Sequence, residues 1–590
     1  MCIVAVVAIF VFLIVKSAPA FVKLGVFDFV FGDEWQPSSS DTYGGATAGT
    51  YGIFTMIVGT VAATAGALLV GGILGYFTAV FLAFFCPKKL KRVLGATINL
   101  LAGIPSVVYG FFGVVFLLPV LALIAPNNGS GLLATSIILG VMILPTVVSL
   151  SKTSLEAVPR SYYEGAVALG ATHTQAVFKT VVPAARSGIT ASLVLGIGRA
   201  LGETMAVVMI AGNAATYPTG LFGSFRTLTA NIVLEMGYAG ELQEGALVAT
   251  GVVLLAFTFL INVVFGALSS RAVRSAAKPK KERGGKRSAI GRGLAAFRAR
   301  VWDFFGNVAY KGKSSYVGMC AAIASGTISG VILVLVIGFI FLKGIPHLSW
   351  ELLFGKFEFA SEKITIFPSV VTTLMAVALS LLIAVPIGIM TAVFLNEYAR
   401  SGNIFVRFVR GAIDILSGVP SIVYGLFGMI TFVKIFGGSS SILAGSLTVS
   451  IMLLPTIVRS TEESLKSVAD SLREGSLALG AGKLRTIFKV VLPSALPGIF
   501  SAIVLAMGRV LSESAPFIYT MGSVIWATPS SYMDNGATLA VALYRLAGEG
   551  WHTNEAYATA VVLIVLVLAL NLLAEWIAGK LNKKLTGDKK

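Results

Sequence analysis

The chain has 590 residues, 56% of them hydrophobic and only 12% charged, with a mean hydropathy of +0.89. A soluble domain carries about a quarter charged residues, so this composition excludes a solvated globular surface and points to lipid as the solvent. The net charge of +18 would suggest nucleic acid in a soluble protein. Here Lys and Arg sit in short segments between apolar runs, as the positive-inside rule expects of cytoplasmic loops, and no nucleic-acid partner is expected.

A helix needs roughly 20 mostly apolar residues to cross a bilayer. In chain order, such runs predict six spans near 2–16, 53–85, 93–124, 132–150, 186–211 and 245–268. Six more follow near 316–342, 366–395, 404–436, 441–458, 496–521 and 556–578. The opening run lacks a basic region before it and a good cleavage site after it, and reads as a first span rather than a leader. Several runs are longer than a straight crossing needs, so tilt, interfacial ends or a break is expected. Cys2, Cys86 and Cys320 stand alone, with neither a Cys pair nor a nearby His, which suggests no disulfide framework and no metal site.

Loop charges predict the orientation. Lys88, Lys89, Lys91 and Arg92 follow the second run, a basic stretch from Arg271 to Arg287 follows the sixth, and Lys583, Lys584, Lys589 and Lys590 end the chain. All three fall on one side of a twelve-span chain, the expected cytoplasmic side. Acidic residues such as Asp28, Asp33, Glu34, Asp41, Glu235, Glu241, Glu244, Asp534, Glu549 and Glu555 fall on the other. The expected location is a multi-pass chain in the cytoplasmic (inner) membrane.

The halves repeat one another. Leu101-Ala-Gly-Ile-Pro-Ser-Val-Val-Tyr-Gly-Phe-Phe-Gly113 returns as Leu416-Ser-Gly-Val-Pro-Ser-Ile-Val-Tyr-Gly-Leu-Phe-Gly428, and Met142-Ile-Leu-Pro-Thr-Val-Val148 as Met452-Leu-Leu-Pro-Thr-Ile-Val458. An even number of spans per half makes the repeats parallel, related by an axis along the membrane normal. The predicted fold is all-α, with about twelve transmembrane helices in two six-helix halves, 1–268 and 315–590, joined by a basic cytoplasmic linker, 269–314.

After the fourth span of each half comes a polar segment: Glu164-Gly-Ala-Val-Ala-Leu-Gly170 with Val177-Phe-Lys-Thr-Val-Val-Pro183, and Glu474-Gly-Ser-Leu-Ala-Leu-Gly480 with Ile487-Phe-Lys-Val-Val-Leu-Pro493. The pattern predicts a short amphipathic helix ended by the Gly, then a second short helix stopped near the Pro, suited to docking in a partner's groove. It resembles the EAA coupling loop of ABC importer permeases, the part that docks on the ATP-binding subunit. Gly165 and Gly475 depart from that pattern, where Ala is usual. The chain has no G-x-x-x-x-G-K-[ST] loop to cradle nucleotide phosphates, so ATP hydrolysis is expected in a partner and no cofactor in this chain.

An ionisable residue inside a span is costly and marks function by default. The fifth span of each half has an Arg and a Glu four residues apart, Arg199 with Glu203 and Arg509 with Glu513, and so on one helical face. One reading is a self-neutralising pair. The other sets two guanidinium forks against a tetrahedral oxyanion, with the carboxylates orienting the forks and competing for them during turnover. Arg459 ends the tenth span where the first half has Ser149, as a snorkelling anchor or an exit-side anion contact. Pro105 and Pro420 interrupt the third and ninth spans, either as packing kinks or to place Ser106, Tyr109, Ser421 and Tyr424 on a pathway or gate.

Together, the Gly103-Ile-Pro-Ser-Val-Val-Tyr-Gly-Phe-Phe-Gly113 stretch, the coupling loop and Gly198-Arg-Ala-Leu-Gly-Glu-Thr204 resemble PstC-type phosphate permeases. Gly418-Val-Pro-Ser-Ile-Val-Tyr-Gly425, Asp470-Ser-Leu-Arg-Glu474 and Arg509-Val-Leu-Ser-Glu-Ser-Ala-Pro516 resemble the PstA type, with Ser512 in place of the usual Gly. The resemblance implies a fusion of two halves with the MetI-like fold of type I ABC importers. It further implies inorganic phosphate as substrate, a PstS-like extracytoplasmic binding protein, and a PstB-like ATPase dimer that uses ATP and Mg. It places phosphate contacts at Arg199, Glu203, Arg509 and Arg459. The alternatives are another oxyanion (sulfate, molybdate or phosphonate) or a twelve-span secondary transporter.

Overall fold

The computed structural model describes residues 2–37, 49–125, 127–276, 314–355, 364–399, 404–434, 437–550 and 552–586. In the first half the principal helices are α1 (Cys2–Leu24), α2 (Phe54–Phe85), α3 (Lys88–Ala102), α4 (Ser106–Ala122), α5 (Leu132–Glu156), α6 (Arg160–Ala168), α7 (His173–Ala184), α8 (Arg186–Leu201), α9 (Met205–Ile210), α10 (Leu228–Glu235) and α11 (Glu241–Ala276). Their counterparts are α12 (Ser314–Gly344), α13 (Phe367–Tyr398), α14 (Ile404–Gly418), α15 (Ser421–Val433), α16 (Ile442–Lys466), α17 (Asp470–Ala478), α18 (Lys483–Ser512), α19 (Ala515–Thr520), α20 (Leu539–Glu549) and α21 (Thr553–Thr586). Among the described residues nine helices are long and apolar enough to cross a membrane, and three bent pairs raise this to twelve. That is the number the apolar runs predict.

The structure bears out the interruptions expected at Pro105 and Pro420 and corrects the reading of the spans in two other places. The third and ninth are not continuous: α3 and α4, and likewise α14 and α15, meet at 101°. Pro105 and Pro420 have no N–H to donate, and the chain turns at each, extended at the proline, before the next helix starts at Ser106 or Ser421. The fifth and eleventh also break, α8 after Leu201 and α18 after Ser512, so the glutamates lie beyond the helix ends. The second correction concerns Pro493, which does not stop its helix, whereas α7 ends at Ala184, one residue past Pro183, as expected. A single π-helical turn precedes each, Val177–Val181 and Ile487–Val491, and the wider turn accommodates a residue without a donor. The second copy then runs unbroken to Ser512, whereas the first bends by 68° between α7 and α8.

The first helix of each half embraces the other half. α1 packs on α11 of its own half and on α14 of the other, and α12 packs on α21 and across on α2. Phe12 meets Phe427 edge-on with ring centroids 5.7 Å apart, and the Thr78 and Ser329 hydroxyls bond at 2.8 Å. Neither half therefore buries its core alone. α11 continues to Ala276, beyond the sixth apolar run, and α12 begins at Ser314. The rest of the proposed linker, Asp41, Lys589 and Lys590 lie outside the described residues.

Candidate functional site at the helix breaks

The breaks place the ionisable residues. Each arginine sits in the last turn of its helix and reaches to the fourth span of its own half: Arg199 Nη1 donates to Thr146 Oγ1 at 3.1 Å, and Arg509 Nη1 to Thr456 Oγ1 at 3.2 Å. These threonines follow Pro145 and Pro455 in the repeated Leu-Pro-Thr motif. The repeat shows the motif, but the partnership needs two spans brought together.

Glu203 sits in the turn between α8 and α9. Its carboxylate accepts from the Ala206 N–H at 3.4 Å, and the Thr229 hydroxyl of α10 donates to its carbonyl at 3.0 Å. Ser106, the first residue of α4, lies against the Glu203 carboxylate, and Ser421, the first residue of α15, lies against that of Glu513. In the second half Arg509 Nε lies 3.8 Å from Glu513 Oε1, both side chains partly buried. The two sites converge, since Glu513 is within electrostatic reach of both Arg199 and Glu203. The turn of one half also approaches the proline break of the other: a Cβ at Gly202 would lie 3.7 Å from Pro420.

The half-helices interlock where glycine lets backbones meet. A Cβ at Gly110 would lie 2.9 Å from the Ala206 Cα, and one at Gly425 3.0 Å from the Pro516 Cα. This packing holds α4 beside α9 and α15 beside α19. The N-termini of α4 and α15, with their unpaired donors and positive dipole ends, lie at the serines that touch Glu203 and Glu513. Two guanidiniums, two carboxylates, two hydroxyls and helix N-termini gathered in this way can cradle an anion and compensate its charge when it leaves.

The other site residues lie elsewhere. Tyr109 and Tyr424 are fully buried, and their hydroxyls are engaged with the Leu101 carbonyl at 2.8 Å and the Leu416 carbonyl at 2.7 Å. They stitch the breaks closed from within the packed wall. Arg459 lies about one helical turn beyond Thr456 on α16 and pairs with Asp414 of α14.

On the basic face, α6 and α17 bury none of their residues. Glu164 and Glu474 are exposed, and Leu169 and Leu479 are 92% and 91% exposed. Gly170 and Gly480 end these helices with φ of +88° and +82°, the left-handed conformation glycine adopts at no steric cost. The two loops are anchored differently. Arg473 Nη2 donates to Glu397 at 3.0 Å and to the Leu465 carbonyl at 2.7 Å, tying α17 to the end of α13. In the first half Tyr163 lies 2.7 Å from His173 Nδ1, whose Nε2 lies 3.3 Å from the Phe84 carbonyl.

Comparison with known proteins adds to this geometry. The family described as "Binding-protein-dependent transport system inner membrane component" matches residues 71–274 and again 384–587. Over 567 residues the chain is 29% identical to the "Phosphate transport system permease protein PstA homolog" of Mycoplasma pneumoniae, covering 87% of this chain and 84% of that protein. It is 40% identical to the "Probable ABC transporter permease protein YqgH" of Bacillus subtilis, over 45% of this chain and 85% of that protein. It is 36% identical to the "Phosphate transport system permease protein PstC" of Mesorhizobium japonicum, over 40% of this chain and 76% of that protein.

Proposed function

The chain belongs to the family of binding-protein-dependent transport system inner membrane components, carrying its domain twice, and on that premise we propose that it forms the whole membrane pathway of an ATP-driven importer of inorganic phosphate, one half PstC-like and the other PstA-like. The observation that carries the proposal is the convergence of Arg199, Glu203 and Ser106 with Arg509, Glu513 and Ser421 at the helix breaks. The names of the relatives support phosphate as the anion.

In this reading an extracytoplasmic binding protein delivers phosphate to the acidic face. The arginine forks and helix N-termini receive the anion, and the carboxylates reclaim the forks as it leaves. α6 and α17, through Glu164, Gly170, Glu474 and Gly480, dock on a separate ATPase dimer that binds ATP and Mg. The basic face, with the linker and C-terminus, is cytoplasmic. Arg459, half exposed beyond Thr456, is an exit-side contact.

The test is reconstitution of the chain with its ATPase and binding protein in proteoliposomes. Labelled phosphate should accumulate only with ATP, and excess sulfate should compete weakly. Strong competition by sulfate would reassign the substrate. Uptake that survives ATP depletion but collapses with the proton gradient would make the protein a secondary transporter.

A further inference from the structure

Where α1 crosses to the second half, its contact with α14 is left partly unfilled. On α1, Val7, Phe10 and Val11 recur at the spacing of one helical face, and on α14 Arg407, Phe408 and Gly411 do the same. The two faces do not close on one another. α14 buries its other side, with Val406, Val409 and Ile413, in the protein. Between the two faces lies a groove of about 590 Å³ with almost wholly apolar walls, the size of a small-molecule site. Val7, Val11 and Phe408 are exposed along it, so in a bilayer the groove faces the lipid.

Two residues of α14 decide what fits. A Cβ at Gly411 would meet nothing within 4 Å, so the groove passes directly over its backbone. Arg407, one turn earlier, is exposed and is the charged residue among those that line the groove. Its neighbours on the same face of the protein are neutralised, Arg410 by Glu462 and Arg459 by Asp414. Among the described residues no carboxylate engages Arg407. The first turn of α14, Ile404–Arg407, holds no acidic residue either, although the positive end of the helix dipole lies there. An apolar trough that ends at an unpaired guanidinium has the two-part form of a phospholipid site, with a wall for the acyl chain and a fork for the phosphate.

We infer that this groove holds an anionic phospholipid from the leaflet on the basic face, one acyl chain lying along α1 and over Gly411 while the headgroup phosphate accepts from Arg407. Charge argues against the chain's own linker as the occupant, because 269–314 is itself basic and would set like charge against Arg407. A zwitterionic lipid offers the same phosphate but carries a cation beside it, so an unpaired arginine favours the anionic headgroup. The lipid bridges the halves, since α1 belongs to the first and α14 to the second. α14 then leads into the break at Pro420, after which α15 starts at Ser421. The site is separate from the arginine–glutamate cluster, and the inference does not depend on which anion is carried.

The experiment adds phosphatidylglycerol or phosphatidylcholine to the full chain in detergent, and reads retained lipid by native mass spectrometry and Tm by thermal unfolding. Wild type should retain phosphatidylglycerol in preference and unfold at a higher temperature with it, because a ligand bound only by the folded state raises Tm. Arg407→Gln should weaken that retention roughly five- to tenfold, the worth of one basic side chain at a membrane surface or one hydrogen bond to a charged group, and leave phosphatidylcholine unaffected. Gly411→Leu fills the trough and should lower retention of both lipids. Arg92→Gln removes the arginine at the matching position of α3, which does not line the groove, and should behave as wild type. Tm without added lipid is the folding control, and the exposed Arg407 keeps the test open where Gly411→Leu does not fold. Equal retention of the two lipids by wild type overturns the inference, as does wild-type retention in Arg407→Gln or in a folded Gly411→Leu. An equal loss in Arg92→Gln would reduce the preference to bulk charge and overturn it too. A dimer of the chain that Gly411→Leu disperses would assign the groove to a second copy, against the lipid.

Discussion

Tyr109 donates its hydroxyl to the carbonyl of Leu101, eight residues back across a 101° break, and Tyr424 does the same to Leu416 in the other half. Each hydroxyl gives a carbonyl near the end of the first segment a donor from beyond the break. Tyr109→Phe removes one of two donors to that carbonyl, which keeps the Ile104 N–H at 3.1 Å, and should cost about 0.5–1.5 kcal/mol, read as a lower Tm of the solubilised protein. Tyr424→Phe should behave alike, because the two breaks are built alike.

Arg199 donates to Thr146, and Arg509 to Thr456 with Glu513 3.8 Å from its Nε, so in each half a hydroxyl helps set the direction of the fork. Thr146→Val and Thr456→Val keep the shape but remove the acceptor, and a hydrogen bond to a charged group contributes about 1.5–3 kcal/mol. Transport should fall roughly 10- to 100-fold in either variant. Arg199→Lys should lose at least as much, because an ammonium cannot present a planar fork. Uptake of labelled phosphate checks both.

Glu203→Gln and Glu513→Gln test the role of the carboxylates in release. Each variant keeps a hydrogen-bond acceptor for Ser106 or Ser421 but removes the charge that competes for the guanidiniums. Transport should fall while assembly with the ATPase persists. Undiminished transport in the double variant would exclude carboxylates from turnover.

Arg473 and Glu397 form a largely buried pair, their side chains 17% and 9% exposed. Removing one partner of such a pair leaves an uncompensated charge and costs about 3–5 kcal/mol. Arg473→Ala should therefore loosen α17 and lower transport-coupled ATP hydrolysis more than Tyr163→Phe does in α6, where the corresponding contacts are exposed. ATPase rates with and without binding protein measure the difference.

Asp534 caps its own turn, accepting from the Ser530 N–H at 2.7 Å, the Ser530 hydroxyl at 2.9 Å and the Ser531 N–H at 2.9 Å. The Ser531 and Ser530 backbone donors and the Ser530 hydroxyl hold its carboxyl below the usual range. A depressed carboxylate stabilises the fold above its unfolded pKa, about 4, and that contribution is lost as pH falls through the lower folded value. The turn carries the Tyr532 and Asp534 carbonyls that bond Leu443 and Ile442 at the start of α16. Hydrogen exchange there, corrected for intrinsic rates, should be steady from pH 7 to about 5 and rise only below about 4. Asp534→Ala should abolish that rise.

The residues that a single segment could announce were legible in the sequence: twelve apolar runs, two parallel halves, two polar loops whose first helix ends at a glycine, and an Arg–Glu pair in each fifth span. Hydropathy and repetition report what each segment needs from its solvent, and lipid imposes that need locally. The helix breaks and their consequences were settled by the tertiary structure. Arg199 and Glu203 share no continuous helix. Glu203 meets Ser106 of another span, Arg509 meets Thr456, and α1 and α12 cross to the opposite half. Such relationships depend on which backbones approach closely enough to satisfy a freed carbonyl or a buried charge. Those partners lie tens to hundreds of residues away, so a local pattern carries the cost of each polar group without its address.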